Sequence, residues 1–375
     1  MLWSCKCTPV RYLNHAGTSW PKPKPVLAAL TKALHASPDE HAQLFELASQ
    51  AVHGEFVPGG RMLLTSGCTS ALALALGDLP WEPGQRLLTS SLEHHALDRQ
   101  AQALVRSFGI EHVRLAYSPG SLISVVDLQQ QLRSGSVGAV AITAASNLTG
   151  EQPLLEEVAE LTAHSGVPLL VDAAQTFGTD QFEKTRDHAD IIVAAGHKSG
   201  MGPQGVGVLW AKKGVEFACP TAACEIGQSV CEVFPGFCDA GSLNLAGACG
   251  LAAGLEWTRS KRSAFGATAR GLAQQVRDAI RPMDGFRLLG PTSAQCGQAA
   301  PLMPVVSFVS RRFGLQALAN SLHDDELWVR VGTHCAPQAL LELDATEGCV
   351  RASFGPMNTS EDAEALIAAL QRADG

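Results

Sequence analysis

No stretch of this 375-residue chain approaches 18 consecutive apolar residues, so nothing in it reads as a membrane-spanning helix. No secretory h-region opens it, and the expectation is a soluble cytoplasmic protein with no membrane partner. Basic blocks are missing as well. Lys and Arg number 28 against 36 Asp and Glu, a net charge of −8, which disfavours nucleic acid as a partner. The eleven cysteines are scattered and odd in number, which argues against a disulfide framework. Four of them, Cys219, Cys224, Cys231 and Cys238, crowd one segment, yet no C-x-x-C pair occurs and neither zinc nor an iron–sulfur cluster is expected there. Internal repeats and low-complexity segments are absent. So is the G-x-x-x-x-G-K-[ST] spacing of a P-loop.

What is present is 46% hydrophobic residues, enough for one large core and a smaller domain. The chemistry centres on Gly196-His197-Lys198-Ser199-Gly200-Met201-Gly202-Pro203-Gln204-Gly205-Val206-Gly207, which follows the apolar strand Ile191 to Ala195. A strand that ends in a Gly-rich turn is where α/β proteins place ligands. A Lys there, partly desolvated, loses its proton readily and forms Schiff bases. Upstream, Leu169-Leu170-Val171-Asp172-Ala173-Ala174-Gln175 reads as a buried strand with an acid at its carboxyl end. A Schiff-base Lys with an Asp for a pyridinium nitrogen is the pairing that pyridoxal phosphate (PLP) requires.

Other elements fall around these two. Helical spacing covers Val26 to His35 and Ala42 to His53, with Ser37 and Asp39 as candidate caps. Strands are expected at Arg61–Leu64, Arg86–Ser90, Val137–Thr143, Val206–Trp210 and Val305–Val309, and one strand from Leu327 ending at Cys335. Helices are expected at Leu154–His164, Ala246–Thr258, Gln274–Ile280, Gly314–His323 and Glu361–Arg372. Strand, helix and strand in alternation imply right-handed βαβ units and a mostly parallel sheet. The turn Thr65-Ser66-Gly67-Cys68-Thr69-Ser70 opens a helix, and its free N–H groups suit a phosphate. Ser91-Leu92-Glu93-His94-His95 follows a strand, but no further ligand stands nearby at metal spacing, so no metal site is expected.

Taken together these motifs resemble the class V aminotransferase and cysteine desulfurase group of fold-type I PLP enzymes. The segment Val329-Arg330-Val331-Gly332-Thr333-His334-Cys335-Ala336 is similar to the R-x-G-x-H-C-A of the SufS-like (group II) desulfurases. Arg11-Tyr12-Leu13-Asn14-His15-Ala16-Gly17 resembles that family's amino-terminal YLDNAAT, with Asn14-His15 in place of Asp-Asn. Ala145-Ser146-Asn147-Leu148-Thr149-Gly150, Asp239-Ala240-Gly241-Ser242 and Arg351-Ala352-Ser353-Phe354 match further motifs in family order, and Met357 replaces an aromatic.

The resemblance implies an α/β fold-type I transferase: a large PLP-binding domain over residues 21–245 with a mostly parallel seven-stranded sheet, and a smaller α+β domain from residues 1–20 and 246–375. It implies PLP on Lys198, with Asp172 at the ring nitrogen and His94 stacked on the ring. Cys68 (through its backbone), Thr69, His197 and Ser242 would bind phosphate, Ser242 reaching across to the partner of a homodimer. Asn147 and Gln175 would tune the phenolic oxygen. Arg351 would clamp the substrate carboxylate, with Ala16, Gly17 and Asn147 also at the substrate, and Cys335 would form the persulfide. The implied activity is cysteine desulfuration, L-cysteine to L-alanine, with transfer to a sulfur-acceptor protein. A C–S lyase, a selenocysteine lyase or an epimerase would use the same Lys198 and Asp172. A Cys–His thiol hydrolase and a non-catalytic scaffold that keeps PLP remain outside that chemistry. One departure stands out: Ala195 occupies the place of a phosphate-binding Ser or Thr.

Overall fold

The computed structural model describes residues 10–217, 244–292, 295 and 301–375. Ser242 and the cysteines Cys219, Cys224, Cys231 and Cys238 lie outside the described residues. The strands, in chain order, are β1 (Arg11–Tyr12), β2 (Arg61–Thr65), β3 (Arg86–Ser90), β4 (Glu111–Leu115), β5 (Val137–Thr143), β6 (Leu169–Asp172), β7 (Ile191–Ala195), β8 (Gly207–Ala211), β9 (Phe286–Leu288), β10 (Val305–Ser310), β11 (Leu327–Trp328), β12 (Arg330–Gly332) and β13 (Cys349–Ser353). Among the described residues no helix is long and apolar enough to cross a membrane.

Seven strands form the main sheet in the order β2-β8-β7-β6-β5-β3-β4. β8 pairs antiparallel with both its neighbours and the other pairings are parallel, as the sequence implied. Every residue of β6, β7 and β8 is buried, which is why these strands read as unbroken apolar runs. Alternate residues serve two cores. Leu169, Val171, Ile192, Ala194, Val208 and Trp210 face one, while Leu170, Ile191, Val193, Leu209 and Ala211 face the other. The helices Pro38–His53, Leu155–His164 and Leu245–Arg259 close the first face. Cys68–Gly77 and His95–Phe108 close the second. The helix Pro38–His53 starts on the reciprocal Ser37–Glu40 capping box, so Ser37 is the cap and Asp39 belongs to the first turn.

A second, antiparallel sheet runs β12-β13-β10-β9. Its apolar face packs on the helices Arg262–Ile280, Leu315–Asp324 and Ser360–Asp374, through Leu272, Val276, Phe308, Leu318, Val350 and Leu366. The strand expected from Leu327 to Cys335 is broken. β11 pairs parallel with β1, whereas β12 pairs antiparallel with β13, so the two halves serve different sheets and the chain turns at Val329. Seven elements were not apparent from periodicity: the helices His95–Phe108, Val125–Arg133, Phe182–His188 and Pro337–Glu342, and the strands β4, β9 and β13. β4 is the sheet's outer strand and buries only Leu115 fully, which leaves little apolar signal.

The parallel strands β3, β5, β6 and β7 deliver Ser90, Thr143, Asp172 and Ala195 to one edge of the main sheet. β8 runs the other way, so Gly207 begins at that edge and pairs with Thr65 at the end of β2. A Cβ on Gly207 would come within 2.4 Å of the Gly67 carbonyl carbon, so only glycine lets β8 pass beneath the turn into the helix Cys68–Gly77. Gly207→Ala is therefore expected to lower stability by about 1–3 kcal/mol through this overpacking, checked by urea unfolding; an unchanged midpoint would show that the turn yields freely.

Candidate active site

The strand ends open onto a cavity of about 690 Å³, walled by Cys68, His94, Asp172, Lys198, Arg330 and Arg351 among others. That volume is within the range of small-molecule sites. Lys198 sits in the turn after β7, which closes through Gly202 N to Gly196 O at 2.9 Å and Met201 N to Lys198 O at 2.9 Å. The carbonyl just before it, on His197, accepts from Ser19 N (3.0 Å), Ser19 Oγ (3.0 Å), Thr18 Oγ1 (3.1 Å) and Lys22 Nζ (2.9 Å). The amino-terminal loop thus clamps the lysine's backbone. Loss of hydration lowers the Lys198 pKa, with Asp172 opposing the shift. Asp172 is raised by the same burial, although it accepts from Ala174 N at 2.8 Å and from Cys68 Sγ at 3.3 Å.

Arg351 lies on β13 and is 1% exposed. Its Nη1 donates to Asn147 O at 3.0 Å and its Nη2 to Asn14 Oδ1 at 3.1 Å, while its buried Nε has no partner. Burial, with Arg330 nearby, lowers its pKa to about 10. Among the described residues no carboxylate forms an ion pair with Arg351 or Arg330. A cavity with two guanidinium groups and no paired acid is suited to an anionic ligand.

Cys335 stands beside the cavity, in the turn after β12, and is half-buried. His334 and Cys335 both take left-handed backbone, at φ 52° and 58°, which two non-glycine residues hold only when their surroundings impose it. The surroundings are specific. Asn147 Nδ2 donates to His334 O at 3.0 Å and His95 N donates to Cys335 O at 2.7 Å. His334 is buried, with Nε2 2.9 Å from Cys349 O. A carbonyl only accepts, so Nε2 carries the proton, and burial keeps the ring neutral by lowering its pKa to about 3. Arg330 Nη2 donates to Cys335 Sγ at 3.4 Å.

The remaining expected residues fall near the cavity, with some changes of partner. Thr69 lines it at the start of the helix Cys68–Gly77, whose N-cap Gly67 offers no side-chain acceptor. The Cys68 thiol is engaged with Asp172, and burial pushes its pKa well above the usual thiol range. His94 lines the wall and caps its own helix, with Nδ1 accepting from Ala96 N at 3.1 Å. His197 lines it too, with Nδ1 3.1 Å from Thr18 Oγ1. Gln175 donates to Ala16 O at 3.2 Å, and Ala16 N donates to Ser353 Oγ at 3.0 Å, which ties the amino-terminal loop to β13. Asn147 is committed on both ends, to the Cys335 turn and to Arg351. Ala16 and Gly17 line the wall.

Sequence reasoning missed Arg330, Asn14, His95, Lys22 and Glu93. Arg330, Asn14 and His95 stood inside quoted motifs, but their roles depend on contacts with residues far along the chain. Glu93 is 1% exposed, with Oε1 accepting from Ser90 Oγ (2.6 Å) and Thr143 N (2.9 Å). Burial raises its pKa to about 8.

A Lys–Asp pair at parallel strand ends thus shares one cavity with an acid-free arginine from a second sheet, an arrangement suited to a small anionic ligand. The class-V aminotransferase model matches residues 11–366, and the chain belongs to that family. It is 29% identical over 391 residues to a probable cysteine desulfurase of Vibrio cholerae, with 97% of this chain and 94% of that protein covered. It is 32% identical over 305 residues to the cysteine desulfurase CsdA of Escherichia coli, covering 78% and 72% of the two chains. Its fold superimposes on the apo cysteine desulfurase of Thermococcus onnurineus with a TM-score of 0.85 at 24% identity, over 97% of this chain and 94% of that one. The expected fold class therefore holds: an α/β, fold-type I architecture.

The raised carboxyl of Glu93 sets a pH dependence. The ordinary glutamate pKa is about 4.3, so between that pH and about 8 the folded protein holds a proton that the unfolded chain releases. Stability conferred by this group is complete at low pH and is lost as pH rises through that window. Glu93→Gln is expected to flatten the fall in urea midpoint between pH 5 and 8, a difference on the order of a few kcal/mol. Parallel curves for the two proteins would show Glu93 ionised in the fold.

Proposed function

We propose that the chain is a PLP-dependent cysteine desulfurase, producing L-alanine from L-cysteine and a persulfide on Cys335. The observation that carries this reading is the convergence of Lys198, Asp172 and an acid-free Arg351 on one cavity, with Cys335 pinned beside it. The names of the relatives support it.

The residues present fit the cofactor. Lys198 would hold it covalently, and Asp172 would face its ring nitrogen. His94 would pack on the ring and Gln175 would lie by its phenolic oxygen. The uncapped helix start at Cys68 and Thr69, with Gly207 beneath it, would receive the phosphate. Ala195 offers no hydroxyl there; His197 and the partner's Ser242 would make up the contact, which implies a homodimer with shared sites. When bound, PLP supplies an electron sink for negative charge developing beside the amino-acid nitrogen.

The protein groups do the rest. Arg351 anchors the substrate carboxylate and so sets which bond at the α-carbon is exposed. Lys198, with its lowered pKa, is suited to move the α-proton. Cys335, deprotonated, attacks the substrate sulfur: a bond forms between the two sulfur atoms and the substrate Cβ–S bond breaks. Overall, cysteine and the Cys335 thiol give alanine and the Cys335 persulfide, with all atoms conserved. A sulfur-acceptor protein would then take the terminal sulfur.

Borohydride should fix the chromophore on Lys198. Cys335→Ala should keep the visible chromophore and its spectral response to cysteine, since neither needs the thiol, while alanine release falls by more than about a hundredfold. Full sulfur release by this variant would instead indicate a C–S lyase. A colourless protein that takes up no PLP would overturn both readings.

A further inference from the structure

Along the sequence the pair His94–His95 has no further metal ligand beside it. The fold brings one. Cys335 arrives from the turn after β12 and docks on the start of the helix His95–Phe108, its carbonyl accepting from His95 N at 2.7 Å. One nitrogen from each imidazole and Cys335 Sγ all lie within 4.8 Å of one another, and all three residues are half-buried. We propose that this trio is a binding site for a thiophilic divalent cation, Zn²⁺ or Cd²⁺, which caps Cys335 and withholds its thiol from chemistry.

The donor set argues for that class of ion. A thiolate and two imidazoles select zinc-like cations over magnesium or calcium, which prefer oxygen. Bonds of about 2.0–2.3 Å at a tetrahedral angle place ligand atoms roughly 3.5 Å apart, so side-chain rotation alone contracts the present triangle. Partial exposure leaves a way in and a fourth position for water.

Two features oppose the ion and bound its affinity. Arg330 Nη2 donates to Sγ at 3.4 Å and must give up that contact. His94 Nδ1 accepts from Ala96 N, so binding through Nε2 moves the ring proton to Nδ1 and forfeits that hydrogen bond. The step is otherwise simple: the thiol proton leaves to solvent, a sulfur–metal bond forms, and nothing is oxidised or reduced. His95, whose side chain has no part in the proposed desulfuration, distinguishes the metal site from the reaction site.

The test follows the thiol directly. The purified holoprotein is alkylated with iodoacetamide, and the Cys335 peptide is quantified by mass spectrometry during a titration with zinc chloride. At free zinc ten times the dissociation constant, labelling should slow about elevenfold, because only the unliganded thiol reacts. EDTA should restore the rate, and magnesium should not slow it. His95→Ala, and His95→Gln as a second variant of similar size, should raise the zinc midpoint at least about tenfold while circular dichroism stays native. An unchanged midpoint in these variants would mean that the thiol captures zinc alone and would overturn the site, as would absence of protection in the unaltered protein. The readout does not depend on desulfuration, so failure of the proposed function leaves it interpretable.

Discussion

The buried guanidinium of Arg351 is the group on which the site depends. It lies on β13 of the small sheet, yet its two Nη atoms are spent on Asn147, in the loop after β5, and on Asn14, in the amino-terminal loop. Three segments remote in sequence are thereby held at one point. Charge-assisted bonds of this kind contribute more than neutral ones, but two neutral acceptors do not neutralise a desolvated charge. The lowered pKa of Arg351 is the record of that imbalance. A ligand carboxylate would remove it, so the residue that joins the two sheets is also the one most in need of an anion.

Asn147 transmits this arrangement to the thiol. Its carbonyl accepts from Arg351 and its side-chain amide donates to His334 O, so the buried guanidinium and the Cys335 turn share one residue. The amino-terminal loop plays the matching part for the lysine, through the four donors on the His197 carbonyl and the Ala16–Ser353 contact. Neither coupling was legible in the sequence. Six of the main sheet's seven strands were, because strands buried on both faces leave continuous apolar runs and Gly-rich or Asx-rich turns mark their ends; the edge strand β4 was not. Asp172 and Lys198 could be read because each terminates such a run. Asn147 was read as a ligand contact; in the fold it is first a strut. Its local sequence, an Asn in a turn, says nothing about which distant partners compete for its amide.

Electrostatics in the cavity wall follow from burial more than from charge pairing. In the wall, His94 and His334 are lowered to about 3 and His197 to about 4, and His15, outside the wall in the amino-terminal loop, also to about 4, in every case chiefly by desolvation. At neutral pH all four imidazoles are uncharged, and the guanidinium groups of Arg330 and Arg351 lend the wall its positive charge. The four rings and Glu93 act in opposite directions on stability. Each histidine takes up its proton in the unfolded chain first, near pH 6.5, so its contribution is complete above that pH and is lost as pH falls toward 3 or 4. Glu93 loses its contribution as pH rises toward 8. The wall's imidazoles thus stay neutral over the middle of the pH range, and the guanidinium groups supply the attraction for an anion.

The position of Cys335 fits this division of labour. Successive left-handed residues cost on the order of 1–3 kcal/mol each, so the turn exists because folding imposes it and not because it is locally favourable. The hydrogen bonds from Asn147 and His95 and the buried His334 ring meet that cost before any ligand arrives. A thiol held this way stays beside the cavity instead of occupying it. On the proposed reading, Arg351 would seat a substrate carboxylate without displacing the thiol, and the substrate sulfur would meet Cys335 already in place. The same fixity leaves Sγ standing between Arg330 and two imidazoles, open to whatever reaches the rim.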